Sequence, residues 1–192
     1  MNKRSLEIIE ESMEFNPMWT SLEIANDSIY LDFTGIELGN PKDTKDFSIR
    51  FANNAFICFF YNDIWSLDFL ADYDFSNENF DGEFSFKIDK FKFQSFDNLD
   101  ELFGKYEKEK TFLNKDFDIR NIRSDFFLTF QLEDIAICVC GNEMNFFFGD
   151  EKVDSDLIKI LSNQWILYYL NYCKKRIKRD EVCKRLFEVD VK

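Results

Sequence analysis

From Trp19 to Phe148 the chain repeatedly sets large apolar residues at every second position, and this period of two constrains the fold more than any other feature. Leu22 and Ile24, then Ile29, Leu31 and Phe33, then Phe47, Ile49 and Phe51 alternate with polar neighbours. Successive side chains of a strand point to opposite faces, so the pattern predicts half-buried strands. Asn26-Asp27 and Asn53-Asn54 supply turns between them. After Gly35 the phase slips to Ile36 and Leu38, which predicts a β-bulge at that glycine. Gly39 to Asp43 reads as a loop.

Ala55 to Phe60 is apolar at every position, the mark of a strand covered on both faces. The stretch from Ile64 to Phe75 keeps Trp65, Leu67 and Phe69 on one parity. Phe84, Phe86 and Ile88 alternate, and Phe91 and Phe93 resume on the other parity, so Asp89-Lys90 is a bulge or a tight turn. Phe126, Leu128, Phe130 and Leu132 predict another strand. Glu133-Asp134 turns into Ile135 to Cys140, and Gly141-Asn142 turns into Phe146 to Phe148.

Helical spacing occurs in three places. Leu6, Ile8, Ile9 and Met13 predict a short helix stopped before Pro17. Leu99, Leu102, Phe103 and Tyr106 predict a mid-chain helix over 97–113, with Asp97 at its N-cap. Leu157, Leu161, Trp165, Tyr168 and Tyr172 predict a long helix capped by Asp154 or Ser155, running to about Phe187 with a possible break near Asp180. Short turns without strand–helix–strand alternation give an α+β fold: an antiparallel meander sheet, partly rolled, with those three helices. The 192 residues form one domain, with 114–124 as the one candidate subdivision.

Composition narrows the function. The chain has no His, which removes His-based nucleophile pairs, a His general base and His-ligated metals. Its 25 Phe accompany abundant Asn, Lys and Ile, a combination that AT-rich coding sequence produces, so they read as ordinary core filling. The five cysteines, Cys58, Cys138, Cys140, Cys173 and Cys183, are odd in number and lack a C-x-x-C pair. They read as reduced thiols, and the protein as cytoplasmic. Glu7, Glu10, Glu11 and Glu14 interrupt any signal-peptide core. The longest uncharged run in the C-terminal half, Ile160 to Cys173, is too short to span a bilayer.

The net charge of −13 is unevenly spread. Residues 173–192 hold eight basic and four acidic side chains, which leaves residues 1–172 with 16 basic and 33 acidic, a net of −17. Such a body repels nucleic-acid backbones and attracts basic proteins. The basic C-terminal residues complement a helix macrodipole.

No catalytic constellation emerges. Asp72, Asp74, Ser76 and Glu83 match four oxygen positions of an EF-hand loop, but Asn77 replaces the required glycine and the flanks alternate like strands. Asp43-Thr44-Lys45 lies in a proline loop rather than on the strand a metal-dependent nuclease needs. Asp116/Asp118 and Asp154/Asp156 are carboxylate pairs of the kind that a chain with 37 acidic residues makes by chance. Neither an enzyme nor a cofactor or metal protein is expected.

What remains is binding. Small acidic α+β proteins without catalytic motifs resemble, in kind only, the immunity proteins of bacterial toxin systems. The expectation is an inhibitor that occludes the active site of a basic partner, a toxin domain or nuclease, with no direct contact to nucleic acid or membrane. An anti-defence or DNA-mimicking inhibitor is the alternative, and an apolar small-molecule carrier a second one. The densest acidic segment, Asp72, Asp74, Glu78, Asp81 and Glu83, is the expected contact, with Tyr73 and Phe80 as aromatic anchors.

Overall fold

The computed structural model describes residues 1–14, 17–42, 45–61, 79–94, 111–113, 124–132 and 135–189. Helix α1 (Lys3–Ser12) starts at Asn2, whose side chain accepts from the Ser5 amide at 2.9 Å. It buries Ile9 and the following Met13. Strands β1 (Met18–Ala25), β2 (Ser28–Thr34), β3 (Phe47–Ala52), β4 (Phe56–Tyr61), β5 (Asp81–Lys87) and β6 (Lys90–Gln94) follow. After them come β7 (Thr111–Leu113), β8 (Phe126–Leu132), β9 (Ile135–Gly141), β10 (Glu143–Phe148) and β11 (Glu151–Val153), and the chain continues into helix α2 (Ser155–Val189).

The strands form two antiparallel sheets. One has six strands in the order β11-β10-β3-β2-β1-β5, the other five in the order β6-β8-β9-β4-β7. The expected α+β class with antiparallel strands, an N-terminal helix and a long C-terminal helix is what the fold has. The two sheets are linked at corners rather than by hairpins. β3 runs in the first sheet and β4 in the second, with Asn53 (φ 58°) and Asn54 (φ 64°) turning the chain between them. Antiparallel to them, β9 and β10 make the same change of sheet in reverse at Asn142, whose amide donates to the Asn53 carbonyl at 3.0 Å. The turn expected at Gly141-Asn142 is therefore a corner. Asp89, left as bulge or turn by the sequence, is a third one, joining β5 in one sheet to β6 in the other.

The expected bulge lies elsewhere. Gly35 has φ 70°, but it follows the last residue of β2, and Ile36 and Leu38 are buried in the loop beyond. The register shift falls between Trp19 and Ser21 in β1, against both of its neighbours. Against β2 the extra residue is Thr20, whose hydroxyl donates to the Asp32 carbonyl at 3.1 Å, whereas against β5 it lies on β5 between Glu83 and Phe86.

The predicted mid-chain helix is corrected at its end. Thr111–Leu113 is a strand paired with β4, where Cys58 faces Leu113. Residues 95–110 lie outside the described residues, as does the 64–75 alternation. α2 continues past Asp180 to Val189. Asp154 is its cap, accepting from the Asp156 and Leu157 amides at 2.9 and 2.8 Å, and these bonds hold its carboxyl below the usual range.

Alternation explains the core. Trp19, Leu22, Leu31, Phe33, Ile49 and Phe146 point inward from the six-stranded sheet to meet Ile57, Phe59, Leu128, Phe130, Ile137 and Val139 of the other. The opposite parity of the five-stranded sheet is buried too. Phe56, Cys58, Phe60, Phe127, Ala136, Cys138 and Cys140 form a second cluster on its far face. This is why 55–60 and 135–140 lack polar residues. Burial raises all three thiols, Cys138 to about 12, so they pack as small hydrophobes. In a Cys183→Ser background, native protein at high dilution is expected to react rapidly with a thiol reagent at Cys173 alone. Cys58, Cys138 and Cys140 should follow only in denaturant; a fast native reaction of four thiols would show that the second cluster is open to water.

Candidate partner-binding face

The expected contact divides in three. Asp72, Tyr73, Asp74 and Glu78 lie outside the described residues. Phe80 is 9% exposed and belongs to the core, with its ring over Gly82 and its carbonyl accepting from the Ile24 amide at 2.6 Å. It cannot serve as an exposed anchor, because the ring is already used in packing. Asp81 and Glu83 are exposed on β5.

β5 is an edge strand, and its alternation sorts its side chains. Phe84 and Phe86 turn inward to Trp19, at ring-centroid distances of 4.4 and 6.4 Å. The odd parity, Asp81, Glu83, Ser85 and Lys87, is exposed. Pairing with β1 sets Asp81 opposite Glu23 and Glu83 opposite Ser21. On the other side of β1, Ser21 faces Asp32, and its hydroxyl donates to the Asp32 carboxylate at 2.6 Å. Residues directly opposite on an antiparallel pair have Cβ atoms about 5 Å apart on one face. Glu23, Asp32, Asp81 and Glu83 therefore share the outer face of the six-stranded sheet.

Two like charges directly across a ladder destabilise it. Glu23 and Asp81 are such a pair, and neither they nor Glu83 has an ion-pair partner among the described residues. The acidic field extends along the sheet. Asp46 is held above the usual carboxyl range by partial burial and by the charge of Asp32. A shallow depression beyond it is lined by Asp32, Asp46, Asp150 and Glu151, with Lys45 as its one cation. Arg50 is the central positive group of the face. Its guanidinium stacks over Tyr30 at 5.0 Å and donates to Ser28 at 3.2 Å, while its Nε is buried without a hydrogen-bond partner among the described residues.

A second acidic surface lies between α1 and β6, where Glu7, Glu10, Glu11, Glu14 and Asp89 line a pocket of about 730 Å³ together with Lys90 and Lys92. Its charges are largely used. Arg4 bonds Glu7 and Glu11 at 3.2 and 3.3 Å, and Glu10 accepts from the Phe93 amide at 2.7 Å, covering the edge of β6.

Among the described residues no three His, Cys, Asp or Glu side chains come together to hold a metal ion. Glu83, the twelfth position of the EF-hand-like pattern, lies in a strand where such a loop would enter its second helix. No described helix is long and apolar enough to cross a membrane. Glu23 and Asp32 had no signal in the sequence, because they join Asp81 and Glu83 only through strand register. Compared with known proteins, the chain matches no family model, and no curated protein or solved structure matches it either.

Proposed function

We propose that this is a non-enzymatic cytoplasmic protein that binds and inhibits a basic protein partner, as an immunity protein does when it occludes a toxin's active site. The supporting observation is the opposed Glu23/Asp81 pair with Glu83 and Asp32 beside it on one exposed sheet face. A fold gains nothing from setting two unpaired carboxylates across one ladder, whereas a cationic cleft laid on them neutralises both at once. A pre-formed sheet presents those charges without ordering a loop first, which lowers the cost of association. The steering field acts at a distance, and the contact itself covers the partner's catalytic cleft.

The triple variant Glu23→Gln, Asp81→Asn, Glu83→Gln separates binding from folding. Relief of the like-charge pair is expected to leave it as stable as the native chain or more so, by ~0.2–1 kcal/mol. Tagged native protein is expected to retain a basic protein from lysate of the source cell at low salt. The triple variant should retain less than a tenth as much. Equal retention by both would place the contact away from this face and overturn the reading.

A further inference from the structure

Among the described side chains of α2, the buried ones lie on its first two turns. Ile158 and Leu161 are buried, the Leu161 carbonyl accepts from the Gly39 amide at 2.9 Å, and the Asn2 amide donates to Ser155 at 3.3 Å. Further along, Ile166, Leu167, Tyr169, Leu170 and Ile177 are 49–62% exposed. At 1.5 Å per residue the helix is roughly 52 Å long, so most of it extends past the sheets.

Four residues of the exposed part fall on one line. Ile166, Leu170, Cys173 and Ile177 follow at intervals of four, three and four, the spacing of a coiled-coil seam. At 100° per residue this line lies roughly 120° round the helix from the line that Ile158 and Leu161 turn to the body. The interval pattern reads the same in both directions. A second α2 laid antiparallel, with a two-fold axis between Asn171 and Tyr172, therefore meets the seam with itself. Ile166 then packs on Ile177 of the second copy, and Leu170 on its Cys173. The flanks are compatible: Leu167 meets the stem of Lys174, and Tyr169 meets the guanidinium of Arg176.

Charge decides both the partner and the direction. Lys174, Lys175, Arg176, Lys178 and Arg179 are exposed on the half of α2 that leads away from the body. The body, residues 1–172, carries a net −17. Antiparallel pairing brings the basic half of each helix alongside the seated half of the other, where Glu37 lies beside Trp165 and Tyr169. Parallel pairing would instead hold the two acidic bodies at the same end, and an anionic membrane would meet the same repulsion. We infer that the exposed seam of α2 is a self-association surface that takes a second copy of this chain in antiparallel orientation. Half of a large apolar side chain is about 100 Å², so the seam and its flanks bury on the order of 500 Å² per copy against ~800 Å² for a standard interface. Contacts between the basic half and the partner's body add to this, and an interface of this size belongs with the small, reversible associations.

Sedimentation of the full chain at tens of micromolar is expected to give twice the 23.1 kDa monomer mass. Leu170→Glu should return it to the monomer and melt at the temperature of the dilute native chain, since that position is outside the core. Direction is read by cysteine pairs in a Cys173→Ser, Cys183→Ser background. A mixture of Ile166→Cys and Ile177→Cys chains should cross-link with a short bismaleimide, and Ile166→Cys alone should not. Three results would overturn the inference: a monomer at every concentration, self-cross-linking of Ile166→Cys, or a monomer that binds phosphatidylserine vesicles through the Leu170 surface. Failure here leaves the acidic sheet face untouched, because the Glu23 variants and the Leu170 variant alter separate surfaces.

Discussion

Replacing Trp19 with alanine is expected to remove about 3–5 kcal/mol of stability, a large share of the roughly 5–15 kcal/mol that holds a domain together. Trp19 is fully buried beside the bulge of β1. Its indole meets Phe84 of its own sheet at 4.4 Å and Phe130 of the other sheet at 5.1 Å, both edge-on. It is thus a bridge between the layers, and its loss leaves a cavity bordered by rigid rings that cannot close over it. The indole N–H is buried without a hydrogen-bond partner among the described residues. Such a donor costs about 1–3 kcal/mol, so Trp19→Phe removes a penalty together with its volume. Denaturant titration at constant m should therefore place the Phe variant much nearer the native chain than the Ala variant. Equal losses would contradict this account, because they would mean that a ring kept at this position recovers none of the contacts between the layers.

Gly141→Ala is expected to cost about 1–3 kcal/mol or more although it adds a single methyl group. Gly141 ends β9 at the corner where the chain changes sheet. A Cβ there would lie 2.8 Å from the Ala52 carbonyl oxygen and 3.2 Å from the Ala52 nitrogen. Both are backbone atoms of β3, fixed by the ladder on each side, so the strands themselves must part. The matched control is Gly82→Ala, where the clash at 2.5 Å is with the far end of the Phe80 side chain rather than with paired backbone, so a ring has to shift but no strands have to part. Thermal unfolding of the two variants should show a clearly larger drop for Gly141. A smaller drop would show that the corner is loose and that the glycine is not what permits it.

Alternation made most strands legible. Phe47, Ile49 and Phe51, or Leu128, Phe130 and Leu132, give both the strand and its buried face. Corners escaped it because Asn53-Asn54 and Gly141-Asn142 are written in the same residues as hairpin turns, and only pairing distinguishes them. Gly35 was misleading for a related reason: positive φ serves to end a strand as well as to bulge one. β7 and β11, three residues each, are too short to show a period. In α2 the period of 3.6 is diluted by two apolar lines, one on the body and one exposed, so the stripe read from Leu157 to Tyr172 mixes buried Leu161 with half-exposed Tyr172. Ile158, the deepest of that helix's described side chains, escapes on the same account.

The candidate face was half legible. Clustering along the chain pointed to Asp81 and Glu83, while Glu23 and Asp32 come from strands far away in sequence. Phe80 was misplaced because a Phe among acids reads as an anchor, and its neighbour Gly82 gave no sign that it leaves room for the ring. Charge counted along the sequence finds an acidic segment, and charge counted across the ladder finds a face.

The most direct test of that face is the association rate of the captured partner, measured by stopped flow across a range of salt for the native chain and for the Glu23→Gln, Asp81→Asn, Glu83→Gln variant. Steering by this face predicts that the native rate falls steeply as salt rises. The variant should start about tenfold slower at low salt, respond weakly, and meet the native curve near 1 M, where screening shortens to about 3 Å. Identical rates and identical salt slopes for the two proteins would contradict the account.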